Sequence, residues 1–194
     1  MLHIDCTPIF KEYGFPSGII HVGGNDAEEE FFYRSIGAKS LWFEPIPWKA
    51  KQIEDKGIKV YCSALGASEK TGKLKIASNS QSSSLLAPKT HLTHYPEISF
   101  ISEIEVQIKT LDSYELSDFD MLILDTQGFE LEVLIGAKKT LENIRYVYTE
   151  FAVEEVFEGN AYFSEIQSLL GNSWKPVEKW MEEGKGWGEA LFVR

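Results

Sequence analysis

The residues able to do chemistry in this sequence stand at the ends of apolar runs. Gly23-Gly24-Asn25-Asp26 follows Gly18-Ile19-Ile20-His21-Val22, Glu44 follows residues 40–43, Asp125 follows Met121-Leu122-Ile123-Leu124, and Glu150 closes the run that starts at Arg145. A carboxylate so placed can orient a hydroxyl, take its proton or face a cation. Adjacent glycines let backbone approach a ligand closely. Glu44 comes about 20 residues after the glycines, the spacing at which an acid accepts hydrogen bonds from both ribose hydroxyls of an adenosine-containing cofactor. Structural readings stand beside these: a tight turn at the glycines, a solvated acid at Glu44, and at Asp125 a cap holding the amides of Thr126 to Gly128. The fingerprint GxGxxG is absent. The acids Asp26, Glu28, Glu29 and Glu30 oppose a pyrophosphate at the helix that follows. They tolerate a ligand with a positive sulfonium and no phosphate.

Other reactive residue types read as structural. His91 and His94 are three apart with no third ligand in sight, and no CxxC pair exists, so no metal site is expected and both histidines are assigned to a solvated loop. His21 lies within a strand and reads as a hydrogen-bonded core histidine. Cys62, in Val60-Tyr61-Cys62, reads as a buried small hydrophobe. Trp48, just past Glu44, is either core or an edge for an adenine. The serine-rich residues 78–84 read as a solvated loop or a substrate lid.

These residues need an α/β framework to bring them together. Strands are expected at 18–22, 40–43, 58–65, 72–77, 103–110, 121–124 and 145–148, with a final pair at 174–180 and 189–193 joined as a hairpin. Helices are expected at 27–36, with Phe31, Phe32 and Ile36 inward and Gly37 as the C-cap, at 48–56, at 129–141 and at 162–170. The alternation of strand and helix implies a Rossmann-like, doubly wound, mostly parallel sheet. Ligands of such sheets bind at the carboxyl ends of the strands. Residues 1–17 read as a lead-in segment and 18–194 as a single domain, in keeping with a length of 194 residues.

Composition narrows the partners. The net charge of −11 argues against nucleic acid and against anionic membranes. No run of about 18 apolar residues is present, and no basic-then-apolar leader opens the chain, so a cytoplasmic protein is expected.

Several segments together resemble the FkbM family of S-adenosylmethionine-dependent methyltransferases. They are Ile20-His21-Val22-Gly23-Gly24-Asn25, Phe43-Glu44-Pro45, Ala64-Leu65-Gly66, Ser83-Ser84-Leu85, Thr110-Leu111-Asp112, residues 124–137 beginning Leu124-Asp125-Thr126-Gln127-Gly128-Phe129-Glu130, Glu150, and the closing residues 188–193. The resemblance runs from about residue 18 to the end. It implies a seven-stranded, mostly parallel sheet with an antiparallel last strand and S-adenosylmethionine as cofactor. It further implies that Gly23, Gly24, Asn25 and Asp26 line the cofactor loop and that Glu44, followed by Pro45, binds the ribose. Ser63, Ala64 and Leu65 would lie near the adenine, with Asp125 and Gln127 beside the methyl group and substrate. Family members commonly methylate oxygen, often a hydroxyl of a sugar or natural product, so a small-molecule or saccharide acceptor is expected. The sequence departs from the family pattern at His21, where Asp is usual, at Gly24, where Ala is usual, at Ala27, where a small residue, often Gly, is expected, and at Gln127, where Glu is common. An amide at 127 cannot act as a base. Asp125, because it ends a central strand, is the expected base or orienting group, with Glu150 a second candidate of the same kind. Rival readings are a non-catalytic S-adenosylmethionine-binding module, an NAD-dependent sugar-modifying enzyme, and an interaction protein without a ligand. Acceptor specificity is expected from residues 78–103 and 151–162, and a homodimer or partner that completes the acceptor site is left open.

Overall fold

The computed structural model describes residues 2–194. The strands in chain order are β1 (Gly18–Val22), β2 (Lys39–Phe43), β3 (Val60–Tyr61), β4 (Ala64–Leu65), β5 (Lys70–Ala77), β6 (Phe100–Lys109), β7 (Met121–Leu124), β8 (Tyr146–Ala152), β9 (Lys175–Met181) and β10 (Trp187–Val193). The helices are α1 (Thr7–Tyr13), α2 (Glu30–Ser35), α3 (Pro47–Asp55), α4 (His91–His94), α5 (Glu130–Ile135) and α6 (Phe163–Leu170). Seven strands form one sheet in the order β3-β2-β1-β7-β8-β10-β9. The first five are parallel, and β10 runs antiparallel to both β8 and β9. This is the mostly parallel sheet that the alternating pattern implies.

Both faces of that sheet are covered, which is why β1 and β7 are buried at every residue and apolar but for His21. On one face Ile20, Val22, Phe43, Leu122 and Leu124 pack against Val133 and Leu134 of α5 and Ile166 of α6. On the other Ile19, Trp42, Met121 and Ile123 pack against Phe10 of α1, Tyr33 of α2 and Ile53 of α3. The chain builds outward from β1 to β3 and returns to lay β7 beside β1. The opening between β1 and β7 is therefore the switch point of the sheet. Register places Val22 opposite both Phe43 and Leu124, so Gly23, Glu44 and Asp125 leave the sheet at one level.

The structure corrects several local expectations. The strand expected at 58–65 divides. β3 stays in the main sheet, whereas β4 joins a second sheet of order β4-β6-β5 with a small core of Ile46, Leu74, Ile76, Val106 and Ile108. Cys62 lies at the bend between them and is exposed, not buried. The helix expected at 27–36 begins only at Glu30, because Asn25 and Ala27 take positive φ values of 40° and 51° and spend the preceding residues in turns. Phe32 and Ile36 pack partly buried against the core as expected, but the fully buried residue is Tyr33, and Phe31 is 84% exposed. The helix expected at 129–141 stops at Ile135, capped by Gly136, which is glycine because a Cβ there would lie 2.1 Å from the Gly66 carbonyl oxygen. Among the described residues, no helix is long and apolar enough to cross a membrane.

Candidate functional site

A cavity of about 610 Å³ opens at the carboxyl ends of β1, β2 and β7. Gly23, Gly24, Asn25, Asp26, Glu44, Pro45, Ser63, Ala64, Leu65, Asp125, Gln127 and Glu150 all line it. Trp48 does not; it lies on the outer side of α3 with 48% of its surface exposed.

The glycine loop owes its shape to crowding. At Gly23, with φ 93°, a Cβ would sit 1.7 Å from the Asp125 carbonyl oxygen, so only glycine lets β1 and β7 close at this level. A Cβ on Gly24 would press on Ile53 and Trp42 at 3.1 and 3.2 Å, so this residue is small for packing. Glu44 is buried, and it ties the loop to β2. Its Oε2 accepts from Asn25 N and its Oε1 from Ile46 N, both at 2.7 Å. Burial pushes its carboxyl up to about 7 against the lowering effect of these two amides. Each oxygen keeps a further acceptor position. Asp26 is held by Lys49 at 2.9 Å. His21 is buried beneath the loop, stacked on Trp42 at 4.2 Å with Nδ1 2.8 Å from the Tyr33 hydroxyl. Burial draws it down to about 4, so it is a neutral structural histidine, as its place inside a strand implies.

Across the switch point, the turn after β7 is organised by one side-chain amide and three acids. Gln127, in a left-handed conformation with φ 54°, donates from Nε2 to Asp125 Oδ1 at 2.9 Å and to Glu150 Oε2 at 3.0 Å. Glu150 falls inside β8 rather than at its end, and pairs in register with Glu189 of β10. Burial raises both acids of the pair. Asp125 moves up to about 6. Glu150 is driven well above the usual carboxylate range, because Asp125, Glu130 and Glu189 add like-charge repulsion to its burial. The cap expected of Asp125 belongs to Glu130 instead. Its Oε1 accepts from Thr126 N, Thr126 Oγ1 and Gly128 N at 2.9, 2.9 and 3.1 Å. Sequence reasoning missed Glu130, which reads there as an ordinary acid in the first turn of a helix.

The serine-rich loop closes the site from above. Ser80 Oγ donates to Asn25 Oδ1 and Ser84 Oγ to the Gln127 carbonyl, each at 2.8 Å. This loop therefore touches both the glycine loop and the Asp125 turn. On the far side Glu189 accepts from His3 N at 2.8 Å and from the Tyr148 hydroxyl, and His3 stacks on Trp180 at 3.9 Å. The remaining wall comes from residues 88–98 and 151–160. Here His91 is buried, not solvated, and His94 pairs with Glu154. Among the described residues, nine carboxylates line the cavity (Asp26, Glu28, Glu29, Glu44, Glu97, Asp125, Glu130, Glu150 and Glu189), and no lysine or arginine does. Among the described residues, no cluster of His, Cys, Asp and Glu has the geometry to hold a metal ion.

Residues 21–183 match the family described as the methyltransferase FkbM domain. The chain is 29% identical over 170 residues to the 2-O-methyltransferase NoeI of Sinorhizobium fredii (strain NBRC 101917 / NGR234), an alignment covering 78% of this chain and 70% of that protein. Among solved structures, a methyltransferase FkbM from Methylobacillus flagellatus KT superposes with a TM-score of 0.57 at 10% identity, over 92% of this chain and 43% of that one. This chain thus spans less than half the length of that protein. Magnesium protoporphyrin IX methyltransferase from Synechocystis PCC 6803, solved with S-adenosylmethionine bound, superposes with a TM-score of 0.51 at 10% identity, over 91% of this chain and 69% of that one.

Proposed function

The chain belongs to the FkbM methyltransferase family, and from that premise we propose that it transfers the methyl group of S-adenosylmethionine to a hydroxyl oxygen of a small-molecule or saccharide acceptor. The observation that carries this reading is the cavity wall of nine carboxylates without a lysine or arginine. That donor set fits a sulfonium cation and repels a pyrophosphate. It thereby favours S-adenosylmethionine over NAD on the same kind of sheet. The likeness to a 2-O-methyltransferase supports oxygen as the methylated atom.

Within this reading the residues divide the work. Glu44 has acceptor positions left for two ribose hydroxyls. Gly23, Gly24, Asn25 and Asp26 form the loop along the cofactor, Pro45 borders the ribose, and Ser63, Ala64 and Leu65 flank the adenine. S-adenosylmethionine supplies a methyl carbon already activated for displacement by its sulfur. Asp125 would accept the proton that the acceptor hydroxyl gives up on methylation. Gln127 fixes the Asp125 carboxylate by its 2.9 Å hydrogen bond and holds Glu150, which keeps its proton, on the other side. The enclosed cavity supplies alignment, the main contribution a protein makes to an in-line displacement. Residues 18–194 act as the methyltransferase domain in this account, and residues 1–17 as a lead-in whose His3 and Ile4 amides dock on Tyr148 and Glu189.

Thermal unfolding with S-adenosylmethionine, S-adenosylhomocysteine and NAD in separate wells tests the reading. A ligand at about 100 times its Kd stabilises by about 2.7 kcal/mol, a rise of roughly 5–10 °C for a domain of this size. The rise is expected with the two sulfur compounds alone. A rise with NAD alone, or with none of the three, overturns the assignment.

A further inference from the structure

We propose that His91 and Asn160 form the acceptor subsite and that it takes an uncharged saccharide ring, a proposal that rests on the methyltransferase reading above. Both residues line the same cavity as Asp125 and Gln127. Both are almost wholly buried, His91 at 2% and Asn160 at 3% exposure. Yet His91 Nδ1 and Asn160 Nδ2 have no hydrogen-bond partner in the protein. A buried polar atom without a partner is costly, and such atoms in a cavity wall mark where a ligand supplies the missing bond.

The local structure fixes what each atom offers. Asn160 Oδ1 accepts from Phe157 N at 2.9 Å, which sets the amide orientation and leaves Nδ2 as the free donor. Asn160 stands over the reactive turn, since a Cβ on Gly128 would lie 2.9 Å from its own Cβ, and Ala161 N donates to the Gly128 carbonyl at 3.0 Å. His91 is held by rings, with Tyr95 and Phe157 both at 5.0 Å and Phe100 at 5.6 Å. Its backbone N donates to Val156 O at 3.1 Å, so the segments carrying His91 and Asn160 are joined. Burial lowers the affinity of His91 for a proton.

The subsite therefore presents one amide donor, one neutral imidazole nitrogen and aromatic faces, beside a wall of carboxylates. A saccharide ring matches each part. Its hydroxyls donate and accept, and its C–H faces pack on Tyr95 and Phe157. Phosphate and carboxylate groups do not match, because among the described residues no lysine or arginine lines the cavity to receive them and nine carboxylates do.

The test uses the full chain loaded with S-adenosylhomocysteine. Ligand-observed saturation-transfer NMR is run with a mixture of methyl hexopyranosides and methyl deoxyhexopyranosides, and in parallel with hexose 1-phosphates. The variants are His91→Phe, which preserves the ring packing, and Asn160→Asp, which preserves the acceptor for Phe157 N and removes the free donor. At least one neutral glycoside is expected to bind and the phosphates not. Each variant is expected to weaken that glycoside about tenfold or more, while calorimetric affinity for S-adenosylhomocysteine stays within twofold. Glycoside binding unchanged in both variants, or phosphates bound in preference by the parent, overturns the subsite. So does a parent that takes up S-adenosylhomocysteine but no glycoside. A parent that takes up no S-adenosylhomocysteine instead overturns the methyltransferase reading, which separates the two failures.

Discussion

Gln127 offers its amide hydrogens to two carboxylates at once, and two ionised acids so close in a shielded site repel strongly. One of them must hold a proton near neutral pH. Glu150 is the one, because Asp125, Glu130 and Glu189 crowd it with like charge on top of its burial. Asp125, raised to about 6, is left ionised and able to act as a base. Asp125→Asn is therefore expected to lower kcat by about a hundredfold or more with little change in cofactor affinity. Glu150→Gln, which mimics a protonated carboxyl, is expected to stay within a few-fold of the parent. Single-turnover rates and calorimetry on both variants check this, and a loss as large in Glu150→Gln would move the base to Glu150. The same ordering sets a pH profile: kcat/KM is expected to fall as pH drops below about 6, where Asp125 takes up its proton. At this scale the sequence exposed Asp125, Glu44 and the glycines, because each ends an apolar strand. It gave no sign of His91 or Asn160, whose burial depends on two distant loops meeting, nor of Glu130, whose hydrogen bonds run backwards into the preceding turn.

The turn between β7 and α5 shows how an element is held for chemistry. Gln127 and Gly128 both have positive φ, 54° and 99°, a conformation costly for a side-chain-bearing residue. Glu130 offsets that cost by accepting three hydrogen bonds from the turn. Glu130→Ala is expected to lose about 2 kcal/mol of stability, which lowers Tm by roughly 4–8 °C. Glu130→Gln keeps an acceptor oxygen and should lose much less. Differential scanning calorimetry of the two variants decides it, and equal Tm values would mean the turn holds without this acceptor. Elements of this kind were legible in unequal measure. β7, most of β1 and the Leu41–Phe43 end of β2 are apolar runs, because both faces of the central sheet are covered there. The division of residues 58–65 between two sheets left no trace in hydropathy, since a bend at Cys62 and Ser63 changes the partner strands and not the residue types. The short α2 was hidden because Asn25 and Ala27 adopt left-handed backbone that residue type alone rarely demands.

Taken as one body, the molecule concentrates buried acid in a cavity that, among the described residues, no lysine or arginine lines, with Lys49 paired to Asp26 behind its wall, and its stability must register this. Burial raises Glu44 and Glu130 to about 7, and burial with like-charge crowding raises Glu150 well above the usual carboxylate range. For each, the folded state binds a proton more tightly than the unfolded chain, so stability falls as pH rises toward the folded value. His21, lowered to about 4, and His91, also lowered, act in the opposite direction, but only up to the unfolded histidine value near 6.5. Acids held low, such as Asp120 and Glu154, act below the unfolded carboxylate value and leave this window untouched. Between pH 6.5 and 8 the raised carboxylates outweigh the last of this histidine titration in the unfolded chain. Glu44 and Glu130 each cost about 1 kcal/mol across that interval, so the ligand-free Tm is expected to drop by about 5 °C or more. Glu44→Gln should flatten part of the slope. A sulfonium cation in the cavity stabilises the ionised acids, so the rise in Tm given by S-adenosylmethionine should be larger at pH 8 than at pH 6.5. S-adenosylhomocysteine, whose sulfur is neutral, should show a weaker increase. Thermal scans of the protein alone and with each compound at both pH values measure all of these slopes. An identical pH dependence for the two compounds would mean that the carboxylates do not face the sulfur, and the base assigned to Asp125 would then stand in the wrong part of the cavity.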